Sequence, residues 1–332
     1  MVSDIPKILL HIHLDGSIDI TDAYKWARED GLNLSKDDLL KKLQVDEYCH
    51  SLNDYLEKFV IPCDLLQTCE RLEMASYHLF LKLAKLNVLY AEVRLAPQKH
   101  LQRGLNLEDV IISVVNGMNK ASVKTGIMGG IILCLMRGDE DKKNWEVLKK
   151  AKEYLHKGVV GIDLAGAEAI YPTKDYGEFF KYANLMSIPF TVHAGEAMGC
   201  ESINQALEFK PRRLGHGIRA IEDGSVVEKL KKMDVLLEVC VTSNYQTCAI
   251  KGPHPVRKLY DAGVKISINT DNDMVSNIDI NKEYEMLIND NLFTKEELVK
   301  CNIDSISYIM AQDEVKDKLK NYYKKYLDAS GR

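Results

Sequence analysis

Four of the nine histidines, His11, His13, His193 and His216, stand where an apolar run gives way to glycine and acidic residues. In Lys7 to Ser17 (KILLHIHLDGS) the apolar positions read as a strand. On a strand successive side chains alternate faces, so His11 and His13 point one way and Ile12 the other. Two imidazoles side by side at a strand end supply most of the protein shell of a catalytic metal. Further along, His193-Ala-Gly-Glu196, Gly215-His216-Gly217 and Asn269-Thr270-Asp271-Asn272 each follow another apolar run. Three neutral imidazoles and one carboxylate, His11, His13, His193 and Asp271, would hold a divalent ion and leave a position for water. Zinc suits that nitrogen-rich set best, with iron or cobalt as alternatives. Such an ion lowers the pKa of its water and makes a nucleophile near neutral pH. Glu196, three residues past His193, is placed to donate a proton, and His216 to orient or deprotonate the water. The plainer alternatives are a helix N-terminal carboxylate for Glu196 and a simple turn for Gly-His-Gly.

These residues need a scaffold that gathers distant strand ends. Strands are expected at Val88–Leu95 and at 130–136, 159–164, 190–193, 213–215, 235–240 and 264–268, which with the first makes eight. Helical stretches are expected at 107–125, 145–157, 176–186, 202–209, 225–232 and 254–261. Branched strands alternating with helices argue a parallel sheet buried on both faces. Eight units point to an α/β fold closed as a (β/α)8 TIM barrel, whose strand C-termini converge on one mouth. An open doubly wound sheet is the competitor, weakened because no GxGxxG or Walker loop follows the first strand. Residues 21–86 read as helices, a helical insertion after the first strand that could form a lid. From Lys282 onward extra C-terminal helices are expected, with 318–326 as a solvated face. No repeat, low-complexity tract or linker divides residues 1–332, so a single domain is expected.

The chain is 46% hydrophobic and 28% charged, with a formal charge of -5. That balance gives no basic face for nucleic acid and no apolar run of membrane-spanning length. Eight cysteines with no CxxC pair, some in apolar runs such as Cys134 and Cys240, suit reduced buried thiols and a cytoplasmic location.

Six motifs, HIHLDG, DLAGAE, TVHAGEA, RLGHG, TSN-x-QT and SINTDN, occur in that order between His11 and Asn277. Together they resemble the adenosine deaminase branch of the metal-dependent amidohydrolases. The resemblance implies a barrel with one zinc per chain and conversion of adenosine, with 2′-deoxyadenosine, to inosine and ammonia. It implies zinc ligands at His11, His13, His193 and Asp271, and hydroxide attack at purine C6 while Glu196 protonates N1. His216 would orient the hydroxide and Asp271 take its proton. Around the nucleoside it places His13, Gly166 (backbone to purine N3), Asp15 (ribose 5′-hydroxyl) and Asn272 (purine N7). Leu52, Tyr55 and Phe59 resemble an apolar gate, although a helix core stripe gives the same pattern. Asn272 departs from the family, many of whose members carry aspartate there. Since N7 accepts, an aspartate must be protonated to reach it, whereas an asparagine amide always donates.

Rival readings are a deaminase of free adenine or of a modified nucleoside, and a metal-dependent phosphoester or amide hydrolase on the same barrel. Thr242 to Thr247 and Asp15 lean toward a ribosylated substrate. AMP is disfavoured because no basic cluster accompanies the strand-end motifs. A binding protein that lost its activity would show a damaged catalytic set, and none is visible. The partner is then a small-molecule purine nucleoside, with oligomeric state open and a monomer included.

Overall fold

The computed structural model describes residues 1–45 and 51–329, so His50 and Cys49 lie outside the described residues. Eight parallel strands are found among them: β1 (Lys7–His13), β2 (Val88–Leu95), β3 (Met128–Met136), β4 (Val159–Ala165), β5 (His193–Ala194), β6 (Arg213–His216), β7 (Leu236–Val239) and β8 (Lys265–Ile268). They pair in two runs, β1-β2-β3-β4 and β5-β6-β7-β8. Single bridges, Ile162 to Phe190 and Ile12 to Asp271, join the runs at both seams and close the (β/α)8 barrel. The fifth strand is shorter than expected. Ahead of His193 the chain meets β4 only where Ile162 N donates to Pro189 O (3.0 Å) and Thr191 N donates to Ile162 O (3.1 Å).

At the other seam, side chains replace part of the ladder. Asn269 Oδ1 accepts from Leu10 N (2.8 Å) and His11 N (3.1 Å), and Asn302 Oδ1 accepts from Ile8 N (2.7 Å). Buried N–H groups are thereby satisfied where the backbones of β1 and β8 diverge. This anchors His11 on both sides.

Inside the barrel lies a wholly buried ionic layer. Arg94 lies 2.7 Å from Asp163 and 2.8 Å from Glu238, while Arg213 lies 2.6 Å from Glu92 and 2.7 Å from Glu238. Charges at such depth persist only when paired. Two of these carboxylates, Glu238 and Asp163, also face His11 and His193.

The helix expected at 145–157 runs over Asp141–Tyr154. It stops there because Leu155 turns to ψ 129° and His156 follows in the left-handed region at φ 66°. The region after β1 folds into helices Ile20–Glu29, Lys36–Leu43, Leu52–Leu56, Val60–Leu65 and Cys69–Lys85. The last packs on helix Leu107–Thr125, where a Cβ on Gly117 would come within 2.2 Å of Glu73 O. Only glycine permits that approach.

The C-terminal stretch corrects one expectation. Residues 318–326 are not wholly a solvated face: Leu319 and Tyr323 of helix Asp313–Ala329 are 0% and 1% exposed. Four residues apart, they form one stripe against Ile8, Leu10, Tyr90 and Leu236 while the lysines face outward. Tyr323 also donates to Pro6 O at 2.7 Å. Among the described residues no helix is long and apolar enough to cross a membrane.

Candidate active site

The four strand-end histidines meet at one mouth. Ring centroids of His11, His13, His193 and His216 lie 4.6 to 5.4 Å apart across the pairs in contact. Asp271 Oδ1 is 3.2 Å from His11 Nε2 and 3.4 Å from His13 Nε2. One ligand-capable atom each from His11, His193, His216 and Asp271 lies within 4.8 Å of the others, a buried set that could hold a metal ion. His11 Nε2 is buried without a hydrogen-bond partner, as expected of an atom kept for an ion.

Hydrogen bonding separates the histidines by tautomer. His11 Nδ1 is hydrogen-bonded to Glu238 Oε2 (2.9 Å), while His193 Nδ1 faces Asp163 Oδ2 at 2.8 Å as a close charge contact without hydrogen-bond geometry. A proton on each Nδ1 faces a carboxylate and leaves each Nε2 a lone pair, the usual support of a metal-binding imidazole. His216 is the reverse. Val256 N donates to His254 Nδ1 (3.1 Å), so His254 Nε2–H donates to Asn244 Oδ1 (3.2 Å). The Asn244 amide then donates to His216 Nδ1 (2.9 Å), and the His216 proton sits on Nε2, 3.4 Å from Glu196 Oε2. His216 therefore offers the site a donor rather than a lone pair. Burial holds its imidazole well below the usual histidine range, so it is neutral.

Two of these side chains sit on unusual backbone. Asp271 (φ 63°) and His216 (φ 61°) occupy the left-handed region, which costs free energy in residues bearing a Cβ and is common at functional sites. The surrounding bonds hold them there. Asp271 N donates to His11 O (3.2 Å), and Gly217 N to Ala194 O (3.0 Å).

The stretch Thr242 to Thr247 orients the reactive groups. Ser243 Oγ donates to Asp271 Oδ2 (2.6 Å), Asn244 donates to His216, and Thr247 Oγ1 donates to Glu196 Oε1 (3.0 Å). None of its six residues lines the cavity; they act on the residues that do. Glu168, which sequence reasoning passed over inside DLAGAE, accepts from the backbone N–H groups of Gly195, Glu196, Ala197 and Met198 at 2.7 to 3.1 Å. It fixes the loop that carries Glu196. The signal available was a carboxylate within a strand-end motif.

The environments of Glu196 and Asp271 pull their carboxyls in opposite directions. Burial, with the negative charges of Asp271 and Glu168, pushes the Glu196 carboxyl well above the usual carboxylate range. Burial opposes ionisation of Asp271 too, but the His11 contact and the neighbouring imidazoles hold it well below that range.

A cavity of about 440 Å³ opens above these groups, within the span of small-molecule sites. Its lining includes His13, Asp15, Leu52, Tyr55, Phe59, Gly166, Glu196, His216, Asp271 and Asn272, so the expected substrate-side residues come together. Tyr55, on helix Leu52–Leu56, has its hydroxyl 2.7 Å from Ser276 Oγ, and the Phe59 ring lies 6.3 Å from that of His13. Gly166 sits at φ 106°, a backbone state open to glycine. The side chain of Asn272 fills the space a Cβ on Gly16 would need, and its Oδ1 is buried without a partner. Burial pushes Asp15 up to about 6.

Residues 6–326 match the adenosine deaminase family. The chain belongs to that family. It is 38% identical over 320 residues to an adenosine deaminase of Haemophilus ducreyi, covering 93% of each chain. With an adenosine deaminase of Clostridium perfringens it shares 35% over 323 residues, 96% of this chain and 97% of the relative. Among solved structures, an adenine deaminase from Arthrobacter aurescens superposes with a TM-score of 0.89 at 25% identity, covering 97% of this chain and 99% of that one. An Arabidopsis N6-mAMP deaminase gives 0.88 at 26%, covering 98% and 99%. The adenosine deaminase family member described here is thus a hydrolase acting on C–N bonds.

Proposed function

We propose that this chain hydrolyses adenosine, and 2′-deoxyadenosine, at purine C6 to give the inosine product and ammonia, using one zinc ion held by His11, His13, His193 and Asp271. The observation that carries this reading is the gathering of His11, His13, His193 and Asp271 beside the buried Glu196 at the edge of a cavity of about 440 Å³, with burial and neighbouring charge raising the Glu196 carboxyl. The tautomers favour His13 over His216 as the third imidazole ligand, because His216 presents N–H. When bound, the ion supplies acidity to a coordinated water.

The chain's own groups do the rest. Thr247 occupies Glu196 Oε1, so Oε2 carries the proton to purine N1 and draws electron density from C6. His216 Nε2–H orients the attacking water, and Asp271, steadied by Ser243, takes its proton. A C6–O bond forms, Asp271 passes the proton it took to the C6 amine, the C6–N bond breaks and ammonia leaves, and the C6 hydroxyl returns its proton to Glu196 as the carbonyl forms. Gly166 presents backbone to purine N3, Asn272 can donate through its amide to N7, and Asp15 accepts from the ribose 5′-hydroxyl. Leu52, Tyr55 and Phe59 cover the base and keep out water.

The cavity wall argues against a phosphorylated substrate. Its lining cation Lys99 is engaged by Asp139 at 2.6 Å, and Asp15 and Asp64 add negative charge. Free adenine is the competing reading, since one structural neighbour is an adenine deaminase. Full-length relatives named adenosine deaminase, and a carboxylate at Asp15, favour the nucleoside.

The test is ammonia release from adenosine, 2′-deoxyadenosine, adenine and AMP by protein of known zinc content. Turnover of the two nucleosides is expected, with Asp15→Ala lowering kcat/KM about 10- to 100-fold through loss of a charged hydrogen bond. Turnover of adenine alone, unaffected by Asp15→Ala, would overturn the nucleoside assignment.

A further inference from the structure

A second group of side chains able to ligate a metal lies beside the same cavity, and of its members only Asp15 has a role in the reading above. Asp15, Cys63 and His100 each offer a ligand atom, and all three atoms lie within 4.8 Å of one another. Cys63 Sγ is 3.8 Å from Asp15 Oδ2, close to the spacing between two ligands on one tetrahedral ion. Asp15 and Cys63 line the nucleoside cavity. His100 stands behind them, 0% exposed.

His100 is the telling member. Its Nδ1–H donates to Leu66 O at 3.0 Å, which leaves Nε2 as an acceptor. That Nε2 is fully buried and has no hydrogen-bond partner. Burial pushes the imidazole down to about 4, so it is neutral at physiological pH and its lone pair is free. A buried imidazole whose other nitrogen donates to a backbone carbonyl has the arrangement found around metal-ligating histidines. An unpaired buried acceptor otherwise costs free energy.

The frame around the three is already rigid. Buried Gln67 donates to Cys63 O (2.7 Å) and Lys99 O (2.9 Å) and accepts from Gln102 N (2.8 Å). One side chain thus ties the helix carrying Cys63 to the loop carrying His100. Asp15 is fixed through the turn after β1, where Gly16 N donates to its Oδ1 at 3.2 Å.

We propose that Asp15, Cys63 and His100 form a second metal site, selective for thiophilic divalent cations such as Zn2+ or Cd2+, at the nucleoside end of the cavity. Thiolate, imidazole and carboxylate together favour such ions over Mg2+ or Ca2+. Binding exchanges the Cys63 S–H proton for the metal, so each ion taken up releases one proton to solvent. An ion there occupies the carboxylate assigned to the ribose hydroxyl, so excess metal competes with substrate. That inhibitory consequence rests on the nucleoside reading of the cavity, but the site itself does not.

Co2+ spectroscopy of the holoenzyme tests the site directly. The catalytic set contains no sulfur, so a thiolate-to-cobalt charge-transfer band in the near ultraviolet reports the second site alone. The band is expected to appear on adding Co2+ beyond the first equivalent, and to be lost in Cys63→Ser. His100→Ala is expected to weaken Co2+ uptake about tenfold or more. In steady state, excess Zn2+ should raise the apparent KM without lowering kcat, an effect relieved in Cys63→Ser relative to that variant's own activity. Absence of the band in the wild type, or its persistence in Cys63→Ser, would overturn the proposal. A protein that shows the band yet deaminates no adenine nucleoside would keep this site and sink the catalytic reading instead.

Discussion

The two ends of the cavity are built on opposite terms. At the reacting end each functional side chain has a protein partner: Ser243 for Asp271, Asn244 for His216 and Thr247 for Glu196. An atom left over there is His11 Nε2, where an ion would sit, whereas at the nucleoside end the polar atoms left over lie away from the reacting groups. Asn272 Oδ1 and His100 Nε2 are buried without partners, and Asp15 has a backbone N–H and a distant thiol. Chemistry needs groups preorganised in one geometry and one protonation state. Recognition needs groups, such as the Asp15 carboxylate, whose bonding is completed by what binds.

Changes at the reacting end should therefore damage turnover, and changes at the nucleoside end should mainly alter binding. The largest effect is expected of Glu196→Gln. Removing the proton donor should lower kcat about 100- to 10,000-fold, while zinc content measured by atomic absorption stays at one per chain. A wild-type rate would end its role as the acid. Next is Asn244→Leu, similar in bulk but without the amide. It frees His216 to change tautomer, so kcat should fall about 10- to 100-fold with KM little altered. A rise in KM alone would erase the contrast between the two ends.

Asn272→Asp should have a smaller and pH-dependent effect. A carboxyl donates to N7 only when protonated, so kcat/KM should decline with rising pH relative to wild type. Loss of turnover at every pH, with zinc retained, would refute this account of the asparagine. The smallest expected change concerns stability rather than rate. Glu283 accepts from Thr242 N (2.9 Å) and Oγ1, and burial pushes it up to about 7. Its folded pKa lies above its ordinary value, so its contribution is full below about 4.5 and is lost as pH rises through about 7. In Glu283→Gln the fall in Tm between mildly acidic and mildly alkaline buffer should shrink by an amount worth on the order of 1–3 kcal/mol. An unchanged pH dependence would rule Glu283 out as its source.

Much of the reacting end was legible because its residues sit next to strand ends, where one apolar run and one histidine announce both element and role. The eightfold alternation of strands and helices likewise carried the barrel. Other features escaped for want of a local signal. Asn302 replaces a ladder bond to Ile8 from 294 positions away, and no periodicity reports such a pair. Arg94 and Glu238 look like misplaced charges in apolar strands until the barrel brings them together. Thr242 to Thr247 was visible as a motif, but whether it faced substrate or catalytic residues depended on the fold. The burial of Leu319 and Tyr323 hid within a lysine-rich stretch, where composition outweighed the two-residue stripe.

The amide-filled seam between β1 and β8 sets an order of assembly. β1 emerges from the ribosome before the other strands, yet its second edge is completed by Asn269 and Asn302, and Pro6 by Tyr323. Contacts so distant in sequence form late, because the intervening chain must first be made and then closed into a loop. During synthesis the strand bearing His11 and His13 therefore waits with one edge open, and an early metal ion would meet histidines without their supports. Closure of the last seam is the event that makes the strand and the reactive centre complete together.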